Sequence, residues 1–349
     1  MDTMRAAVFH ENGGPEVVRV EDRPRPDPGP GEVRLRVRAA ALNHLDLWVR
    51  RGMPIETTMP HIGGSDLAGE VESVGPGVDP AIVGTRVVVD PSLGYDFYDG
   101  TDRGAALRDA PLRLIGEHTD GGFAEFAVVP AANLLQVPDG VSFEAAAAAS
   151  LAAVTAWRAT IVRGALQPGE SVLVTGGSGG VATLAVQYAA RAGARVHAVT
   201  SGGANAERLR SLGAHHVYDR TAAEPWARAI KSDTGGRGVD LVVDSVGEAI
   251  WDAAVRCLAV AGRLVSYGAT AGPVATLDLR HVFWKQLSIM GSTMGTPAEY
   301  RRAMGLVFAG EVEAPIHAVM ELDAVRRGHE LLEAGGVFGK IVIVPDPSA

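Results

Sequence analysis

Apolar residues follow two different periods along this chain, and the change between them marks its organisation. In residues 32–40, apolar side chains occupy every second position, which is the spacing of a half-buried strand. Apolar runs at residues 63–75 and 84–90 carry glycines at their ends and bends, and glycine within a strand is typical of bulges and barrel corners. The first third of the chain is therefore predicted to be a small β-barrel.

Strand-like and helix-like segments alternate beyond residue 170. Strands are predicted at 171–175, 195–200, 217–218, 240–244, 263–267 and 286–291, and helices at 181–192, 205–212, 224–233, 249–259 and 297–309. This alternation is typical of a doubly wound parallel sheet, the Rossmann arrangement. Elsewhere, strands are predicted at 4–10, 17–21 and 340–344, the last able to return to the first domain, and helices at 43–51 and 142–153.

The turn after the strand at 171–175 is rich in glycine. Gly177 and Gly179 fit a G-x-G-x-x-A spacing in which Ala182 replaces the third glycine, and a helix follows at once. The N–H groups and dipole of that helix would hold a pyrophosphate, so we interpret the domain as a dinucleotide-binding one rather than an empty scaffold. Further contacts are predicted where two later parallel strands end. The predicted cofactor residues here are Gly177, Ser178, Gly179, Gly180, Val181, Ser245, Val246, Tyr267 and Gly268.

The end of the second Rossmann strand predicts which nicotinamide cofactor is used. Enzymes that use NAD place a carboxylate about 20 residues beyond the glycine turn, where it binds the ribose hydroxyls. Here Thr200 and Ser201 are followed by two glycines, and no carboxylate appears before Glu207. Hydroxyls and backbone N–H groups can donate to a phosphate, so NADPH is predicted to be favoured over NADH.

Composition limits the remaining classes of function. A length of 349 residues suggests about two domains, and the formal charge of -9 disfavours nucleic acid as a partner. The single cysteine, Cys257, leaves no internal disulfide and no cysteine-built zinc site. We found no apolar window typical of a membrane span and no signal-peptide layout at the N-terminus, so the protein is expected to be cytoplasmic.

Several motifs together resemble the medium-chain dehydrogenase/reductase superfamily, and within it the zinc-lacking, quinone-oxidoreductase-like branch. They extend over nearly the whole chain. The motifs are residues 40–46 (AALNHLD), 64–69 (GSDLAG), 121–126 (GGFAEF), 151–157, 176–182 and 338–342 (FGKIV). The resemblance implies a GroES-like barrel domain formed by residues 1–150 and 296–349, with a Rossmann domain at 151–295. It also implies a cofactor in the cleft between the domains, and a homodimer or homotetramer joined through the Rossmann sheets.

Zinc-dependent members of the superfamily hold catalytic zinc with two cysteines and a histidine. This chain has Asn43, Ser65 and Leu151 in or near those places, which leaves Asp66 and His44 as the remaining donors. Zinc prefers thiolate, imidazole or carboxylate ligands, so no metal is expected. Without a Lewis acid, the chemistry shifts towards substrates that accept hydride readily, such as enones and quinones.

The resemblance also indicates which residues act on the substrate. Asn43 lies where relatives face the nicotinamide, and its amide either donates to a substrate carbonyl or caps the following helix. His44 is a candidate proton donor or a structural histidine, and Asp46 is expected to orient its neighbours. Where some relatives carry a tyrosine, this chain has Met53, so the usual proton donor is missing.

Four residues are candidates for an apolar substrate pocket, although core or dimer packing is an equally good interpretation. They are Tyr95, Phe283, Trp284 and Met294. Lys340, in the Gly-Lys motif near the C-terminus, either approaches the cofactor phosphates or is an ordinary surface lysine.

The predicted function is reduction of quinones or activated C=C bonds of enones with NAD(P)H and without zinc. One alternative is a zinc-independent carbonyl reductase or alcohol dehydrogenase. Another is a nucleotide-binding structural or sensory protein with little turnover, which the missing tyrosine favours. In each case the partner is a small molecule.

Overall fold

The computed structural model describes residues 2–53, 57–93, 112–223 and 225–346. The chain forms two compact units: Met1–Leu151 together with Gly295–Ala349 make the first, and Ala152–Met294 make the second. The second unit is thus an insertion in the sequence of the first.

The first unit is built mainly from strands. They are β1 (Thr3–Phe9), β2 (Arg19–Pro24), β3 (Glu32–Ala41), β4 (His61–Ile62), β5 (Asp66–Val74), β6 (Arg86–Val89), β7 (Ser92–Leu93), β8 (Arg113–Leu114), β9 (Phe126–Pro130), β10 (Leu134–Gln136), β17 (Ile316–Glu321) and β18 (Lys340–Val344). A seven-stranded sheet has the order β10-β6-β5-β3-β18-β17, with β9 also paired to β3, and β2-β1-β4 form a second sheet.

Strand β3 organises this unit. Its alternating side chains Val33, Leu35 and Val37 are buried, as the period of two predicts. Strand β3 also pairs with β18, and in this pairing Val342 lies opposite Ala41. The C-terminal segment therefore returns to the first unit and brings Lys340 with it.

Within the described ranges, four helices lie wholly or partly in this unit. They are α1 (His44–Arg51), α2 (Phe143–Trp157), α8 (Pro297–Phe308) and α9 (Val325–Ala334). Helix α1 ends at Gly52, whose φ of 90° suits glycine, and the buried Arg50 forms an ion pair with Glu333 of α9. The Ser142 hydroxyl accepts the N–H of Ala145 at 3.1 Å, which confirms Ser142 as the N-cap of α2.

The second unit contains a six-stranded parallel sheet with the order β13-β12-β11-β14-β15-β16. Its strands are β11 (Ser171–Val174), β12 (Arg195–Thr200), β13 (His216–Asp219), β14 (Val239–Asp244), β15 (Leu258–Ser266) and β16 (Ser288–Gly291). Its helices are α3 (Gly180–Arg191), α4 (Gly203–Ser211), α5 (Trp226–Asp233), α6 (Trp251–Cys257) and α7 (Leu279–Lys285). Numbered from β11, the strand order is 3-2-1-4-5-6, which is the Rossmann order.

The structure differs from the sequence prediction in a few places. Helix α7 and strand β17 were not predicted. Helix α6 ends at Cys257 and β15 begins directly at Leu258, whereas a helix was predicted through residue 259. Leu258 has φ and ψ of -63° and 139°, which is an extended conformation, so the helix stops before it.

Among the described residues, one helical segment, Phe143–Arg163, is long and apolar enough to cross a membrane. No such segment was predicted from the sequence. In the structure, 78% of its most apolar window is buried inside the protein. A core helix of a soluble protein has the same properties, so this segment is weak support for a membrane span.

Two buried histidines make the fold sensitive to acid. Burial and then the neighbouring His216 lower the pKa of His197 to about 4. Burial and then Arg50 lower the pKa of His329 to about 3. Both folded-state pKa values lie below the value of 6.5 for an unperturbed histidine, so the unfolded chain binds more protons as the pH falls.

These two histidines are therefore expected to contribute their full stabilisation above pH 6.5 and to lose it progressively towards pH 4. Each histidine should account for on the order of 3 kcal/mol over that interval. Urea denaturation at pH values from 7.5 to 4.5 would measure this loss of unfolding free energy. In His329→Leu, the unfolding free energy should depend less steeply on pH. His10→Gln, at an exposed histidine, is the control, and an equal slope in all three proteins would contradict the prediction.

Candidate active site and cofactor site

The candidate active site of the first unit is centred on the Asn43 amide, immediately before α1. Its Oδ1 accepts a hydrogen bond from the Lys340 ammonium, and its Nδ2 donates to Asp66 Oδ2 at 2.8 Å. The amide orientation is therefore fixed from both ends. Since an amide nitrogen carries two hydrogens, one N–H of Asn43 is left to donate elsewhere.

Asp66 is fully buried, and its carboxylate accepts three hydrogen bonds. Its Oδ2 accepts from Lys340 Nζ at 2.8 Å as well as from Asn43, and its Oδ1 accepts the N–H of Leu151 at 2.6 Å. Lys340 is only 3% exposed. A buried carboxylate and a buried ammonium thus neutralise each other beside Asn43.

Asp46 holds the backbone on both sides of this cluster. Its carboxylate accepts the N–H of Asn43 at 2.7 Å and that of Gly64 at 2.9 Å. Burial outweighs these two hydrogen bonds and raises the pKa of Asp46 to about 7. The carboxyl group thus fixes the backbone at Asn43 and Gly64.

His44 is the first residue of α1 and is exposed. Within the described ranges its imidazole has no hydrogen-bond partner. Partial desolvation, followed by the Lys340 and Arg51 charges, lowers its pKa. At neutral pH it is therefore an uncharged side chain with one N–H donor.

The cofactor loop begins at the end of β11. Gly177 N–H donates to Val199 O at 2.9 Å and Gly179 N–H donates to Gly176 O at 2.9 Å, so the turn is closed before α3 starts. Helix α3 has Gly179 as its N-cap, without a side-chain cap and without an acidic residue in its first turn. The N–H groups of its first turn, which include those of Gly180 and Val181, suit an anion.

Asp244 shapes the loop that follows β14. Its buried carboxylate accepts the N–H groups of Val246 and Gly247, both at 3.1 Å, and the hydroxyl of Thr175 at 2.5 Å. Tyr267 lies next to this loop and forms a hydrogen bond with Ser245, while burial raises its pKa. The predicted cofactor residues that follow β14 and β15 therefore lie close to the end of β11, the strand that leads into the glycine-rich turn. Asp244 was not predicted from the sequence, although a carboxylate at the end of a buried strand was a usable signal.

Thr200 and Ser201 lie at the end of β12, in the same sheet edge. The Thr200 hydroxyl is buried and has no hydrogen-bond partner among the described residues. Nearby, Asp219 accepts the N–H of Gly202 at 3.2 Å. Sequence reasoning missed this carboxylate because it comes from the next strand.

Of the four residues predicted for an apolar pocket, the structure describes three. Phe283 and Trp284 lie on α7 and are 64% and 82% exposed, so they do not form a buried pocket in the second unit. Met294 is 4% exposed and its sulfur lies 3.9 Å from the Thr155 hydroxyl, which makes it a packing residue. Tyr95 lies outside the described residues.

Lys340 also differs from its predicted role. It was expected to approach the cofactor phosphates or to be a surface lysine. The pairing of β18 with β3 instead buries it against Asp66 and Asn43. Two of the three N–H groups of its ammonium donate to these oxygens, and at 3% exposure Lys340 is not a surface lysine.

Comparison with known proteins identifies the family. The model for an alcohol dehydrogenase GroES-like domain matches residues 29–139, and the model for a zinc-binding dehydrogenase matches residues 180–309. A quinone oxidoreductase of Pseudomonas aeruginosa is 32% identical over 97% of this chain and 98% of its own length. The chain belongs to the medium-chain dehydrogenase/reductase superfamily.

Two further relatives extend the comparison. A crotonyl-CoA reductase of Streptomyces avermitilis is 30% identical over 86% of this chain and 71% of its own length. The crystal structure of an NAD-dependent alcohol dehydrogenase matches with a TM-score of 0.91 and 39% identity, over 98% of this chain and 100% of the other. The GroES-like domain and the Rossmann sheet are thereby confirmed, and the chain is an oxidoreductase of this superfamily with a nicotinamide cofactor.

The zinc implied by the name of one matching domain does not suit the residues present. At the expected ligand positions, Asn43 and Asp66 are bonded to each other and to the Lys340 ammonium. Ser65 is fully buried and its hydroxyl has no partner in the described part of the chain, but a neutral hydroxyl is a poor zinc ligand. Nor does any group of three or more His, Cys, Asp or Glu within the described ranges have metal-binding geometry.

Proposed function

We propose that this protein is a zinc-independent, NAD(P)H-dependent reductase of quinones or of the activated C=C bonds of enones. The observation that supports this proposal most is the locked Asn43 amide, which has one N–H left beside a buried ammonium. Such a donor suits a substrate oxygen that becomes negative during reduction. The names of the quinone oxidoreductase and crotonyl-CoA reductase relatives agree with this chemistry.

The bound cofactor would supply a hydride to the electrophilic carbon of the substrate. Asn43 Nδ2 donates to the carbonyl oxygen and stabilises the enolate that develops there, while Lys340 and Asp66 hold the amide in place. His44, uncharged at neutral pH, offers a second N–H donor. Its exposure lets water deliver the final proton to carbon.

Turnover tests this proposal directly. Purified protein would be incubated with NADH or NADPH and a panel of enones, quinones and aldehydes. Asn43→Ala should lower kcat for the preferred substrate by about 100-fold with little change in cofactor affinity. Asn12→Ala is the matched control, since the Asn12 amide bonds the carbonyl groups of Val49 and Arg50 at the other end of α1.

The outcome separates the three candidate functions. Preference for enones or quinones supports the proposal. Preference for aldehydes would instead favour the carbonyl reductase or alcohol dehydrogenase alternative, which the NAD-dependent alcohol dehydrogenase relative supports. Tight cofactor binding without turnover of any substrate would favour the nucleotide-binding alternative.

We expect the purified protein to carry no stoichiometric zinc, because an ammonium already neutralises the acceptors at the ligand positions. Elemental analysis should find far less than one zinc per chain, and chelation should leave activity unchanged. One tightly bound zinc per chain, with activity lost on chelation, would refute this expectation.

Pairing with a second copy of the chain is proposed through the edge of the Rossmann sheet. Strand β16 is an edge strand, and α7 before it exposes Leu279, Phe283 and Trp284. Large exposed apolar side chains of this kind mark association surfaces. Trp284→Glu should convert dimers into monomers in analytical ultracentrifugation, whereas Val319→Glu, at an exposed valine of the first unit, should not; a monomeric wild type would disprove the pairing.

A further inference from the structure

The choice between NADH and NADPH depends on the charge beside the adenosine ribose. In Rossmann domains this place is the carboxyl end of the second strand, where a carboxylate accepts from the ribose 2′-hydroxyl and repels a 2′-phosphate. In this chain that strand is β12 and its last residue is Thr200. The sequence-based prediction of NADPH depended on the lack of a carboxylate there.

The structure supplies a carboxylate to this place from the neighbouring strand. In the parallel register of β12 and β13, Asp219 lies directly opposite Thr200. Asp219 Oδ2 accepts the N–H of Gly202 at 3.2 Å. Its Oδ1 accepts the N–H and the hydroxyl of Thr221 at 2.8 Å and 2.7 Å, so the carboxylate is fixed against the loop that follows β12.

The local groups favour a hydroxyl ligand over a phosphate. Hydrogen bonds from Thr221, then Gly202 and the Arg220 charge, hold the pKa of Asp219 below its usual value, so it is ionised at neutral pH. The Gly202 N–H, which a phosphate would need as a donor, is already used. Thr200 is only 3% exposed, so Asp219 is the polar side chain that faces outward at this place.

We propose that Asp219 determines cofactor selectivity in this protein and makes NADH the preferred cofactor. The proposal rests on the proposed function only in taking the second unit as a nicotinamide-cofactor domain. The sequence predicts NADPH, because the end of β12 itself carries no carboxylate. This proposal reverses that prediction, because Asp219, 19 positions after Thr200, takes the role of the missing carboxylate. Arg220 is the cation that could oppose this effect.

Binding without substrate tests the proposal independently of catalysis. NADH and NADPH would be titrated by fluorescence, and adenosine 5′-monophosphate would be compared with adenosine 2′,5′-bisphosphate as competitors, since these two differ only in the 2′-phosphate. We expect NADH and the monophosphate to bind at least tenfold more tightly than their 2′-phosphorylated counterparts. Asp219→Asn, which keeps an acceptor for Gly202, should reduce that ratio about tenfold.

Two further variants keep the test specific. Asp252→Asn removes the same charge at an exposed position that is paired with Arg256, and it should leave the ratio unchanged. Arg220→Gln should increase the preference for NADH. A wild-type preference for the phosphorylated ligands, or an Asp219→Asn ratio equal to that of Asp252→Asn, would overturn the proposal.

The wild type provides a second test should Asp219→Asn fail to fold. Raising the salt concentration should narrow its preference for the monophosphate, because screening weakens repulsion between exposed charges; a ratio independent of salt would contradict the role of Asp219. Selective NADH binding without any turnover would defeat the proposed reductase function but not this assignment.

Discussion

A valine at Gly179 will abolish cofactor binding while leaving the protein folded. Gly179 has φ and ψ of -72° and 152°, which any residue adopts. A Cβ placed there would meet only one atom within 4 Å, Gly176 O at 3.3 Å. The rest of the valine side chain would stand over the N-terminus of α3, where the pyrophosphate is expected.

Fluorescence titration with NADH and NADPH should show at least a 100-fold loss of affinity in Gly179→Val, with a nearly unchanged melting temperature. Gly305→Val is the control, since a Cβ at Gly305 has no atom within 4 Å and this exposed glycine belongs to the first unit. Gly177→Val should behave differently and destabilise the fold, because its Cβ would lie 2.9 Å from Leu209 Cδ1. An affinity for Gly179→Val within threefold of wild type would mean that the phosphates bind elsewhere.

The parts of the protein that local patterns determine could be predicted from the sequence. The Rossmann strands, the glycine loop and strand β3 follow from short-range periodicity and from backbone freedom at a few glycines. Residues 195–200 were predicted as a strand with the bounds that β12 has. Helix α7 was missed because it is short and its apolar residues are exposed rather than arranged on a buried face.

The parts of the site that depend on contacts distant in sequence could not be predicted. Lys340 and Asp66 are separated by 274 positions, and only the pairing of β18 with β3 brings them together. Asp219 reaches the ribose position only through its register with Thr200. In both cases the residue type was visible in the sequence, but its partner was set by the sheet.

Breaking the buried pair of Lys340 and Asp66 is expected to destabilise the protein far more than breaking an exposed one. Lys340→Met would leave the Asp66 carboxylate buried with only the Asn43 amide and the Leu151 N–H as donors. Asp66→Asn would leave a buried ammonium without a counter-charge. Each single change should cost about 3 to 5 kcal/mol of unfolding free energy, because it creates an uncompensated buried charge.

The double variant separates the charge pair from other effects of the substitutions. Lys340→Met with Asp66→Asn removes both charges, so its cost should fall well below the sum of the two single costs. Urea denaturation of the four proteins gives the coupling energy, and the same cycle on the exposed pair Arg256 and Asp252 should give less than about 1 kcal/mol. The double variant should also lose most of its kcat while binding the cofactor normally, since Asn43 then lacks the ammonium that fixes its oxygen. Additive single costs, or a double variant with wild-type kcat, would show that this pair neither stabilises the fold nor orients Asn43.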